Sequence, residues 1–117
     1  MHISRKDKFM VTEISADNFE QAVLKSELPV LVCFCDNDSP PSIQQQELLP
    51  EIISEFSGKA EIFTVNVYDE PRLSEQYGII SVPTIVTIKD GKEAGRHQGL
   101  AKYNRLTELL NELCEKI

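Results

Sequence analysis

A chain of 117 residues has room for one domain with a real core, and its 41% hydrophobic and 26% charged content are ordinary globular values. The 12 basic and 19 acidic residues leave a net charge of −7, which argues against nucleic acid or an anionic membrane as partner, since both need a basic face. No segment is apolar for long enough to span a bilayer, and residues 1–10 lack the apolar run of a signal peptide, so the expected location is cytoplasmic.

Residues 1–10 read as an N-terminal extension and residues 11–117 as the domain. Val11 to Ile14 predicts a short first strand. Asp17-x-x-Glu20 has the form of a capping box. The helix it opens shows Phe19, Ala22 and Val23 on one face and stops at Pro29. Val30 to Cys35 is a continuous apolar run, the mark of a strand buried on both faces. Asp36-Asn37-Asp38 predicts a solvated acidic turn. Ser39 then suits a helix cap, and Pro40 suits the first helical position, where a missing N–H is no loss.

That helix is expected to reach about Phe56, with Leu49, Ile52, Ile53 and Phe56 as its buried stripe and Pro50 as a kink. Gln44 to Glu47 reads as a solvated polar stretch. Glu61 to Val67 predicts a strand. Pro71 to Tyr77 predicts a short helix closed by Gly78. Thr84 to Lys89 and Glu93 to Gln98 read as two strands joined by an Asp90-Gly91 hairpin turn. Tyr103, Leu106, Leu109, Leu110, Leu113 and Ile117 recur at helical spacing and give a last amphipathic helix.

Three cysteines are too few for a disulfide scaffold. Cys33 and Cys35 stand two apart on one strand and share a face, with Cα atoms about 6.6 Å apart and side chains that run parallel, poor geometry for a disulfide. Two readings of them stand: small buried hydrophobes, or a redox or metal role for Cys-Phe-Cys. Cys114 falls on the last helix. His2 and His97 are isolated, Asp36, Asp38 and Asp69 show no recognised cation spacing, and the residues call for no metal and no cofactor.

The order βαβαβαββα, with Val65-Asn66-Val67-Tyr68-Asp69-Glu70-Pro71, then Tyr77-Gly78-Ile79-Ile80-Ser81-Val82-Pro83-Thr84 and Lys89-Asp90-Gly91-Lys92, resembles the thioredoxin family over nearly the whole chain. The resemblance implies an α/β thioredoxin fold, a central mixed sheet of about five strands flanked by four helices. It implies that Pro83 is the family's cis proline facing the active site and that Gly99 is the glycine after the last strand. It places the family's reactive dithiol on Ser39 and Ser42, in Ser39-Pro40-Pro41-Ser42. The tryptophan before the motif becomes Asp38. The proton-relay acid and lysine become Cys33 and Thr64.

A serine is no thiolate nucleophile at neutral pH. The expected function is therefore a redox-inactive thioredoxin-like protein. It binds a protein or peptide in the former active-site groove, lined by Asp38, Ser39, Pro40, Pro41, Ser42, Val82, Pro83, Thr84 and Gly99. The alternative is a thioredoxin-type thiol–disulfide oxidoreductase whose two active-site cysteines have been replaced by serine. The sequence sets no oligomeric state.

Overall fold

The computed structural model describes residues 11–114. The extension at residues 1–10 and the predicted buried Ile117 lie outside them. The elements run β1 (Thr12–Glu13), α1 (Ala16–Phe19, continued by a π-helical turn over Glu20–Leu24), β2 (Val30–Cys35), α2 (Pro40–Glu55), β3 (Glu61–Asn66), α3 (Pro71–Gln76), β4 (Thr84–Lys89), β5 (Lys92–Gln98) and α4 (Tyr103–Cys114). The five strands form one mixed sheet in the order β1-β3-β2-β4-β5. β2 runs parallel to β3 and antiparallel to β4, so it is central, as its unbroken apolar run requires.

The alternation of side chains along β2 divides the core into two. Leu31, Cys33 and Cys35 face α2 and α4, where they join Leu49, Ile52, Phe56, Leu106, Leu109 and Leu110. Val30, Val32 and Phe34 face the other way, onto Phe19 and Val23 of α1 and Leu73 of α3. Each large apolar side chain taken fully out of water contributes about 1.5–3 kcal/mol. Tyr77 fits between α1 and β2, with ring centroids 5.6 Å from Phe19 and 5.7 Å from Phe34. The β4–β5 hairpin turns at Asp90 and Gly91, both at positive φ (53° and 78°), the conformation an Asp-Gly turn supplies.

The structure corrects the sequence reading at four places. The first helix is opened by Ser15 and Asn18, not by Asp17 and Glu20: the Ser15 N–H donates to Asn18 Oδ1 at 2.8 Å, and Glu20 pairs with Lys25 at 3.2 Å. The helix starts two residues earlier because Ser15 is the last extended residue. The stretch Gln44 to Glu47 is not solvated throughout, because Gln45 and Gln46 are buried. The expected acidic turn is not solvated at Asp36, which is 5% exposed. Ser39 sits at the N-cap, but its side chain makes no capping bond to the helix. α2 passes through Pro50, where the proline withholds one bond from the helical ladder, and ends with Phe56 at its C-cap.

Candidate functional site

β2 and β3 end together, with Cys35 paired to Asn66 and the Val67 N–H donating to Cys35 O at 3.0 Å. The chain leaves β2 through Asp36 and enters α2 at Pro40. Pro40 and Pro41 fit the first turn because their missing N–H groups fall where a helix has no internal partners. Asp36 organises this turn. Its Oδ1 accepts from the Ser39 N–H (2.9 Å), the Ser39 hydroxyl (2.8 Å) and the Asp38 N–H (3.2 Å).

The Asp36 backbone is held as firmly as its side chain. Its N–H donates to Ser42 Oγ at 3.2 Å, and its carbonyl accepts from Gln46 Nε2 at 3.0 Å. Burial raises the Asp36 carboxyl, but the donors from Ser39, Asp38 and Ser42 outweigh it and hold the group below the usual carboxylate range. The anion at the head of α2 is therefore the chain's own carboxylate, stabilised by amide and hydroxyl donors and by the positive helix end.

The second wall is the turn into β4. The Val82–Pro83 peptide bond is cis. The Thr84 hydroxyl donates to Ser81 O at 2.7 Å, and the Gly99 N–H donates to Pro83 O at 2.8 Å. Gly99 sits at φ 85°, a conformation that favours glycine. Gln45 reaches from α2 to the same corner, with its Nε2 donating to Ala101 O (2.9 Å) and its Oε1 accepting from the Ala101 N–H (2.8 Å). Arg96 of β5 donates to the Tyr77 carbonyl at 2.6 Å and anchors the start of the loop that leads to Pro83.

Of the residues singled out from the sequence, Ser39 is half-buried and Ser42 wholly buried, while Asp38, Pro40 and Pro41 are exposed. Pro83 and Thr84 are buried beside half-buried Val82. Cys33 and Thr64 are brought face to face, paired in register across β2 and β3, and both are buried. Among the described residues no group of three or more His, Cys, Asp or Glu is placed to hold a metal ion, so Asp36, Asp38 and Asp69 do not gather into a cation site.

Sequence reasoning missed Asp36, Gln45 and Gln46 as the polar frame of the site. A signal existed: Ser42, Gln45, Leu49, Ile52 and Phe56 recur at spacings of three and four, one continuous inward stripe whose first turns are polar.

Cys33 and Cys35 lie together in the core, and the contact with Cys35 and burial push the Cys33 thiol well up. Neither geometry nor charge prepares a thiolate at Cys33. Cys33 and Cys35 are expected to stay unmodified by Ellman's reagent in the native protein over minutes and to react at once in strong denaturant. Fast native reaction of both, located by mass spectrometry, would contradict their burial.

A thioredoxin family model matches residues 10–112. The chain is 32% identical over 102 residues to the thioredoxin of Rickettsia bellii, a match covering 87% of this chain and 97% of that protein. It is 30% identical over 102 residues to the thioredoxin of Haemophilus influenzae, covering 87% and 95%. Identity to thioredoxin 1 of a Nostoc species is also 30%, over 100 residues that cover 86% and 94%. With the sheet order, the cis turn and these matches together, the chain belongs to the thioredoxin family.

Proposed function

We propose that this chain is a redox-inactive member of its family. It holds a protein or peptide segment in the groove between Asp38–Ser42, Val82–Thr84 and Gly99. The observation that carries this reading is the state of the two serines. The Ser39 hydroxyl is spent on Asp36, and the Ser42 hydroxyl accepts the Asp36 N–H inside the core. At the positions the family resemblance assigns to the dithiol, both side chains serve the architecture of the helix start. Holding an extended segment through backbone bonds beside a cis proline is a form of strand addition and needs no thiol. Among the described residues no helix is long and apolar enough to cross a membrane, and we place the protein in the cytoplasm.

The second reading, an oxidoreductase whose cysteines have been replaced by serine, draws on the similarity to thioredoxins over nearly the whole chain. The test of the first reading is insulin reduction with dithiothreitol as electron donor. The chain is expected to add nothing to the rate of dithiothreitol alone. Turnover above that background overturns the proposal and directs attention to Cys33, Cys35 or Cys114.

A further inference from the structure

Tyr68 and Ile80 are the two large hydrophobic side chains left exposed among the described residues, at 73% and 82%. A single exposed apolar residue needs no explanation, but these two stand at one end of the sheet. Tyr68 lies two residues beyond Asn66, the end of β3, which pairs with Cys35. Ile80 lies four residues before Thr84, the start of β4, which pairs with Phe34. They therefore flank, from opposite sides, the loop that carries Asp36 out of β2 and into α2.

Strands one apart lie about 4.8 Å from each other, so positions on the two neighbours of β2 are about 10 Å apart. On one face of an extended peptide, side chains four residues apart are about 13 Å from each other, so a segment crossing a gap of about 10 Å obliquely presents one apolar side chain to each rim.

The loop segments between them carry charge of one sign, and the cation nearest to them in the chain is exposed Arg72 on α3. Asp38 and Asp69 are exposed, and Asp69 directly follows Tyr68. None of the segments 36–42, 66–71 and 78–84 contains a lysine or an arginine, in a chain of net charge −7.

Resting on the groove reading above, we infer that the occupant is an extended segment of another protein in which large apolar side chains alternate with lysine or arginine. The apolar side chains seat on Tyr68 and Ile80 and the cations face Asp38 and Asp69. Apolar contact supplies the residence, and charge complementarity selects the partner and hastens encounter.

The test uses three fluorescein-labelled octapeptides: lysine alternating with valine and phenylalanine, the same peptide with glutamate for lysine, and lysine alternating with serine. Binding is followed by anisotropy, and its place by amide chemical shifts of the labelled protein. The lysine–apolar peptide is expected to bind and to shift Asp38, Tyr68, Ile80 and Val82. The glutamate and lysine–serine peptides are expected to bind at least about tenfold more weakly. Tyr68→Ser and Ile80→Ser are each expected to weaken binding about tenfold with an unchanged spectrum elsewhere. Asp38→Asn/Asp69→Asn is expected to flatten the salt dependence.

If the lysine–apolar peptide shifts Val82 and Gly99 but binds both serine variants as tightly as the parent, this inference fails and the groove reading stands. If the glutamate peptide binds in the groove as well as the lysine one, the charge assignment fails. If no peptide moves a groove resonance, the inference falls together with the groove reading.

Discussion

Asp36→Ala is expected to be among the most damaging substitutions outside the apolar core, at about 2–4 kcal/mol at neutral pH. One carboxylate oxygen accepts three donors at the head of α2. Loss of a cap alone costs about 0.5–2 kcal/mol. Here the Ser39 N–H and hydroxyl also lose a charged acceptor in a half-buried turn, and hydrogen bonds to charged groups contribute about 1.5–3 kcal/mol. In a domain of this size the loss corresponds to a fall in Tm of about 10–20 °C, measured by circular dichroism. Asp36→Asn keeps an oxygen in place without its charge and is expected to cost about half as much. A fall of less than about 3 °C for Asp36→Ala shows that the carboxylate does not hold the helix start.

The same residue sets a pH dependence with a definite sign. The folded state holds Asp36 below its ordinary range, so the unfolded chain binds the proton more readily. Its contribution is complete above the unfolded carboxyl value of about 3.9 and is lost as pH falls through the lower, folded one. The stability difference between the parent and Asp36→Asn should therefore be flat from about pH 5 to pH 8 and shrink below about pH 4. A gap that widens on acidification contradicts the direction of the shift.

The fold was legible because its signals are redundant. β2 announces a central strand by an unbroken apolar run, and the structure buries all six of its residues. α4 shows its inward face at helical spacing, and Leu106, Leu109, Leu110 and Leu113 are all buried. Asp90-Gly91 makes the turn its chemistry favours. The site was legible only in outline. Ser39 and Ser42 stand at the start of α2, and Pro83 and Gly99 are joined by a hydrogen bond at the turn into β4, but the partners of the two serines were not read.

The reason is physical. A polar side chain scores as solvated in any periodicity argument, and its burial depends on a bonding partner that is distant in the chain. Gln45 is buried because Ala101, 56 residues away, offers both a donor and an acceptor. Asp36 is buried because the amides of Asp38 and Ser39, just ahead of the helix that begins at Pro40, need an acceptor. Ser39, by contrast, read as a capping side chain on local grounds, and it is Asp36 that takes its hydroxyl.

Restoring a dithiol with Ser39→Cys/Ser42→Cys is expected to give a folded but poor reductant. A thiol at position 39 takes the place of a hydroxyl 2.8 Å from the Asp36 carboxylate. A thiolate there meets a like charge at close range, and the amide of residue 39 already donates to that carboxylate. The family's usual logic, a helix start stabilising sulfur, is pre-empted. Proton transfer is also unsupported: Cys33 stands where the relay acid is expected, and its raised thiol is no base near neutral pH. Each unit by which the attacking thiol is raised lowers its thiolate fraction about tenfold. Insulin reduction by the double variant should therefore fall at least about tenfold below that of a thioredoxin with an intact dithiol, and the thiolate absorbance should appear only at alkaline pH. Adding Asp36→Ala should move that titration to lower pH and raise turnover about tenfold, at a temperature where the triple variant is still folded. The two effects separate the readings: a stability loss with a rate gain is what removal of a structural anion from a nucleophile's place predicts. Full turnover by the double variant, with Asp36 in place, establishes instead that the groove is a working redox site from which two cysteines have been taken.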